Sequence, residues 1–268
     1  MVNGIYTIDA HCHIYPEKIA AKAVAGTDNF YGGKSVCKGT VSDLLERGEA
    51  AGIDRFIVQS VATTPHQVAS INKFIAEEVA QNPEKLTGLG TLHPDSTDIA
   101  GDIENILELG LKGVKLHPDI QRFAIDDVRC HKIYEICEQK GLIILFHTGD
   151  NRYDYSNPNR LIPMLDTYKN LKVIGAHLGG WSIWNEACEV YKDYPNFYVD
   201  CSSSFNYIEK SDAKRIIRTY GAEKVLFATD YPMWCPKTEL EYFLSLGLDE
   251  NEICSILNMN AKKLFNLE

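Results

Sequence analysis

Leu142-Ile143-Ile144-Leu145-Phe146-His147-Thr148-Gly149 is the stretch whose reading decides the fold. Five apolar residues in a row, with no polar alternation, suit a strand buried on both faces, as in a parallel sheet covered by helices. The run is bracketed by helical stretches. Residues 126–140 stop at Gly141, and residues 158–168 start at Pro158, the punctuation expected at helix ends. A buried strand between two helices is one βα unit, and the same unit recurs along the chain.

Strand-like runs fall at 5–8, 55–61, 86–92, 114–116, 142–146, 172–176, 197–199 and 225–228. Helical stretches separate or follow them: 40–50 with Thr40 or Ser42 as cap and Gly52 as stop, then 66–81, 99–109, 126–140, 158–168, 181–191, 208–220 and 238–246. Two short helices near 249–257 and 259–266 finish the chain, and the Gly-, Asn- and Lys-rich residues 26–39 read as a long loop. Leu92-His-Pro-Asp95 recurs as Leu116-His-Pro-Asp119, one βα unit later. Eight alternations predict a single-domain (β/α)8 TIM barrel over residues 1–268. The competing doubly wound sheet usually carries a Gly-rich phosphate loop after its first strand, and no GxGxxG stands there.

Composition narrows the class. The formal charge of −10, from 27 basic and 37 acidic side chains in 268 residues, comes without a Lys/Arg cluster and argues against nucleic-acid binding. The eight cysteines form no CxxC pair and read as reduced thiols of a cytoplasmic protein. The N-terminal residues lack the basic and apolar regions of a signal peptide, and no apolar run is long enough to span a membrane.

Barrel enzymes work at the C-terminal ends of their strands. Six of the eight histidines fall there: His11 and His13 after the first strand, His93 after the third, His117 after the fourth, His147 after the fifth and His177 after the sixth. Asp230 closes the eighth in Phe227-Ala-Thr-Asp-Tyr-Pro232. Taken singly, His147 reads equally well as a hydrogen-bonded core histidine and Asp230 as a turn cap. Jointly they place His11, His13, His147 and Asp230 at one rim, three imidazole nitrogens and a carboxylate, a donor set for Zn2+ or another divalent transition metal, one per chain. Cys12, between two histidines on one face, should point away into packing, and Asp9 should support the strand end. His177 is placed to act as general base or proton shuttle.

Asp9-Ala-His11-Cys-His13, Lys115-Leu-His117-Pro, Phe146-His147-Thr-Gly149, Gly175-Ala-His177-Leu-Gly-Gly180 and Thr229-Asp230-Tyr-Pro232, in order and one per strand, resemble the amidohydrolase superfamily. The likeness is greatest to the amidohydrolase-related branch that includes 2-amino-3-carboxymuconate-6-semialdehyde decarboxylase. The resemblance implies a metal-dependent barrel in which His11, His13, His147 and Asp230 hold the metal and His177, with Asp230, serves catalysis. It implies hydrolysis of a small carboxylate-bearing ester, lactone or amide, or alternatively non-oxidative decarboxylation of a small unsaturated or aromatic acid; a metal-binding barrel without catalysis is the third reading. Lys115 is read as a positive group near an anionic substrate rather than a carboxylated, metal-bridging lysine. His117, His93 and Arg152, the last in the polar segment 150–160, are read as further substrate contacts. The expected partners are a small molecule and a second copy of the chain.

Overall fold

The computed structural model describes residues 1–2 and 4–268. Its strands are β1 (Ile8–His13), β2 (Arg55–Gln59), β3 (Leu86–Gly88), β4 (Gly90–Thr91), β5 (Gly113–Leu116), β6 (Ile143–Phe146), β7 (Val173–Gly175), β8 (Phe197–Asp200) and β9 (Val225–Leu226). All pair in parallel, β1-β2-β3 in one run and β4 through β9 in the other. The third predicted strand is interrupted at Leu89, whose N–H nevertheless donates to Val58 O at 2.9 Å, so β3 and β4 form one stave. The ring closes where Ala10 N donates to Phe227 O at 2.9 Å and Cys12 bridges to Tyr231. This is the TIM barrel expected from the alternation.

Two apolar layers explain the unalternated strands. Ile143, Leu145, Ile174, Leu226 and Ala228 fill the barrel interior with Ile8, Ala10, Ile57 and Leu89. Ile144, Phe146, Val173 and Phe227 face outward into the core shared with the helices. Ala261, Leu264 and Phe265 of the C-terminal helix (Asn260–Phe265) join the inner layer. Alternation then carries the chemistry: Lys115 and His117, His147 after Leu145, and Asp230 after Ala228 keep the inward phase beyond the strand ends.

β1 departs from simple alternation. Asp9 pairs with Phe56 and Cys12 with Val58, so Ala10 and His11 together oppose Ile57, a β-bulge. Without it, residues that share parity with the inward Ile8 and Ala10 would exclude His11 and His13 from the interior. The extra residue shifts the phase, leaving Cys12 and Ile14 in the outer core and both histidines at the rim.

The region 26–39 differs from the expected loop. Residues 26–31 complete a helix, Glu17–Tyr31, which ends at Gly32 in the left-handed conformation (φ 67°). Gly26 weakens a helix without breaking it, and the following Gly32-Gly33 supplies the stop. Among the described residues no helix is long and apolar enough to cross a membrane.

One buried carboxyl sits behind the site. Glu239, 3% exposed, takes a hydrogen bond from Asn206 Nδ2 on Oε1 at 3.0 Å, while Oε2 has no partner. Burial pushes its pKa up to about 7. Below the unfolded carboxylate range both states are neutral. As pH rises to 7 the unfolded chain ionises first, so this residue costs stability that grows to on the order of 3 kcal/mol. Denaturant melts of Glu239→Gln at pH 5 and pH 8 should therefore show the variant gaining on the parent at the higher pH; a constant difference would show that Glu239 is ionised in the fold.

Candidate metal centre

Three donors converge at the rim. His11 Nε2 lies 3.1 Å from His13 Nε2, and each lies 3.5 Å from Asp230 Oδ1. Among the described residues these form the group whose ligand atoms all stand within 4.8 Å of one another. Ligands bound at about 2.0–2.2 Å around one ion are separated by about 3.0–3.5 Å, so the spacing fits a divalent transition metal. Two imidazoles and a carboxylate that leave open positions are also a donor set of catalytic rather than purely structural metal sites.

Hydrogen bonds set the tautomers. His11 Nδ1 donates to Asp200 Oδ2 at 2.9 Å, which leaves the Nε2 lone pair for the shared point. His13 Nδ1 is buried without a partner. Burial would raise the Asp230 carboxyl, but the imidazoles of His11, His177 and His13 and the Ser203 hydroxyl, donating at 2.6 Å, bring it down to about 2. It is therefore an anion, which the donor set needs. Asp9 fixes the neighbouring backbone by accepting from Thr229 N at 3.0 Å, Thr229 Oγ1 at 2.6 Å and His11 N at 3.2 Å.

His147 and His177 make a second pair. His147 Nε2 donates to Gly149 O at 3.0 Å, and His177 Nδ1 donates to Ser202 O at 3.0 Å. That leaves His147 Nδ1 and His177 Nε2 with their lone pairs toward each other at 3.0 Å. Burial lowers both pKa values, that of His177 to about 4, so neither ring readily carries the proton that would relieve the contact. The Tyr31 hydroxyl, 3.4 Å from His147 Nδ1, can donate to that nitrogen, while His177 Nε2 keeps its lone pair. His177, Leu178 and Asp230 all hold positive φ (60°, 52° and 58°), a conformation disfavoured for residues with a Cβ and frequent at functional sites. The Phe146–Gly149 loop closes on Gly180: a Cβ on Gly149 (φ 77°) would stand 2.6 Å from the Gly180 backbone.

Lys115 is 1% exposed, and its Nζ donates to His11 Nε2 at 3.3 Å. Burial lowers its pKa to about 8. His117 accepts from Ile120 N on Nδ1 at 3.3 Å, so its Nε2–H donates to the Tyr31 hydroxyl at 2.8 Å. The rings of His117 and His147 stack at 4.1 Å. All these side chains meet in a cavity of about 710 Å3.

Other expected site residues lie elsewhere. His147 stands in the cavity wall but points its nitrogens at Gly149 and His177 rather than at the three-donor point. His93 is outside the wall, with Nδ1 accepting from Asp95 N at 3.2 Å. Arg152 is also outside it. Its guanidinium forks onto the buried Asp150 (Nη2 to Oδ2, 2.7 Å), donates from Nη1 to Phe30 O at 2.9 Å, and lies 5.1–5.4 Å from the ring centres of Phe30, Tyr31, Tyr153 and Trp181. Its charge is met by Asp150, so it holds the Glu17–Tyr31 helix to this loop instead of reaching substrate. Cys12 is buried in the outer core.

Asp200 and Tyr31 were not anticipated. Asp200 ends β8 and shares the phase of Tyr198, which packs against the inner layer, so the rim rule applied to an acidic residue points to it. Burial would raise its carboxyl, but His11 and the other groups around it hold it below the usual carboxylate range. As the partner of a proposed ligand it should fix that ring, and such partners are typically worth about 10–100-fold in metal affinity. Competitive titration of Asp200→Asn with a chromogenic chelator should show a loss of that size; unchanged affinity would detach Asp200 from the metal.

The amidohydrolase family model matches residues 8–267. No curated protein matches the chain. Among solved structures, 5-carboxyvanillate decarboxylase of Sphingomonas paucimobilis is 18% identical, covering 99% of this chain and 100% of its own, with a TM-score of 0.77. A dihydroxybenzoic acid decarboxylase of a Polaromonas species, with bound manganese and 2-nitroresorcinol, is 17% identical over 98% of this chain and 97% of its own, at 0.74. A provisionally named 2-pyrone-4,6-dicarboxylic acid hydrolase of Pseudomonas putida is 17% identical over 98% of each chain, at 0.71. At these identities the likeness is one of fold.

Proposed function

The chain belongs to the amidohydrolase family, and on that premise we propose that it is a metal-dependent hydrolase of a small carboxylate-bearing ester, lactone or amide. The observation that carries this reading is His177. Its Nδ1–H is committed to Ser202 O, so Nε2, in the cavity wall and 3.0 Å from His147 Nδ1, is the ring's proton-accepting atom. An imidazole with a fixed tautomer and one acceptor nitrogen at the cavity wall has the geometry of a proton-transfer group.

We assign His11, His13 and Asp230 as ligands of one divalent cation, zinc or manganese; His147, whose nitrogens are turned to Gly149 O and His177, stands beside them. Bound there, the ion would lower the pKa of a water molecule and polarise the substrate carbonyl. His177 removes the proton of the attacking water as its oxygen bonds to the carbonyl carbon, then returns it to the departing oxygen or nitrogen. One water is consumed, and an acid and an alcohol or amine leave. The Lys115 ammonium neutralises the substrate carboxylate. Because His117 donates to the Tyr31 oxygen, the Tyr31 O–H is left to donate to His147 Nδ1 at 3.4 Å.

Decarboxylation is the second reading, favoured by the apolar wall of the cavity and by the two decarboxylases of like fold. In that reaction the bond from carbon to carboxylate breaks, its electron pair stays on the substrate, and a proton is delivered to that carbon. Metal-loaded protein given a panel of lactones, amides and hydroxybenzoates in 18O-water separates the two. Hydrolysis places one 18O in the non-volatile acid. Release of CO2 with no 18O in the remaining product would replace hydrolysis by decarboxylation.

A further inference from the structure

The cavity is larger than the cluster of polar groups needs, and its outer part is apolar. The Glu17–Tyr31 helix presents Ile19, Ala23 and Phe30 to it, four and seven positions apart and so along one face. Ile71 and Phe74 of the helix Val68–Gln81, three apart, line it too, as does Met233. Ile71 and Phe74 rest partly against the core and also line the cavity. Of the fifteen residues of the first helix only Ala20 is buried, and Ile19 is 50% exposed. Helix faces of this kind ordinarily pack against protein; here they wall a space of about 710 Å3 that is continuous with His11, His13 and Asp230.

Charge in the same wall is sparse. The cationic side chains lining it, among the described residues, are Lys115 at the histidine cluster and the exposed Lys22. Arg152, which would serve a second carboxylate, is spent on Asp150. The wall therefore offers one interior ammonium beside the proposed metal and, away from it, apolar surface.

We propose that this site takes a monoanionic substrate with an extended apolar tail, the acid or acyl head at His11, His13, Asp230 and Lys115 and the tail between Ile19, Ala23, Ile71 and Phe74. Compact dicarboxylates and unsubstituted small acids are poor occupants: the former find a second cation only in the exposed Lys22, and the latter leave the arm wet. The inference rests on the metal-anchored head proposed above and adds the class of molecule that fills the rest.

Straight-chain hydroxamates from acetohydroxamate to octanohydroxamate test it, because the head chelates a divalent metal and the tail grows by methylenes. Calorimetry on manganese-loaded protein should show affinity rising about two- to threefold per methylene, the yield of partial burial, and at least fifty-fold over the series. Ala23→Trp, which fills the arm, and Ile71→Asp, which charges it, should each flatten the series to within a few-fold. An affinity independent of length, or a rise that survives in both variants, overturns the apolar arm. A length-dependent affinity unchanged after metal removal supports the arm and overturns the metal-anchored head. Failure of every member to bind metal-loaded protein overturns both.

Discussion

Asparagine in place of His177 should leave metal content near that of the parent and lower turnover by about 10²–10⁴-fold, the usual weight of a positioned proton-transfer group. The loss falls on kcat rather than on KM, since His177 is assigned the proton and not the ligand. The amide can still donate to Ser202 O, so the loop from His177 to Gly180 should keep its fold, but it has no lone pair of comparable basicity to face the cavity. Near-parental kcat in a variant with full metal content would remove His177 from the chemistry. A parallel loss of metal would make it a ligand instead, which the 3.0 Å approach of His177 Nε2 to His147 Nδ1 makes a meaningful alternative to measure.

A larger effect is expected for His13→Ala. It deletes one of three convergent donors while removing a partly exposed ring whose Nδ1 has no hydrogen bond to lose. Stability should change little. Metal retained through gel filtration should fall from about one ion per chain to a small fraction, and activity by on the order of 10³-fold or more, since both the activated water and the polarised carbonyl depend on it. Elemental analysis beside a thermal melt decides the matter: full metal content in the folded variant would dissolve the three-donor assignment.

The fold was legible because β6 declares it. Ile143 and Leu145 fill the barrel while Ile144 and Phe146 meet the helices, so the run tolerates no polar residue, and the same logic recurs around the ring. The inward phase also carried His147 and Asp230 to the rim. His11 and His13 were found for a reason only partly right: their shared face was legible, but which face it is depends on the bulge at Ala10 and His11, which no local residue pattern announces. Asp200 obeys the rim rule at the end of β8, but a single acidic residue ending a strand carries no motif, and its bond to His11 exists only in the fold. Tyr31 could not be found that way at all. It comes from a helix laid over the mouth, in a stretch whose glycines read as loop, and its hydroxyl meets His117 only in three dimensions. Arg152 shows the converse failure, a cation at the right rim whose charge is already taken by Asp150.

On the proposed assignment, β1 and the segment after β9 bring His11, His13 and Asp230 together as one metal site. Anomalous diffraction at the manganese edge, on crystals grown with Mn2+, measures it directly. A single peak within about 2.0–2.3 Å of His11 Nε2, His13 Nε2 and Asp230 Oδ1 is the predicted result. Absence of a peak there, or a peak that any of the three does not reach, would contradict it.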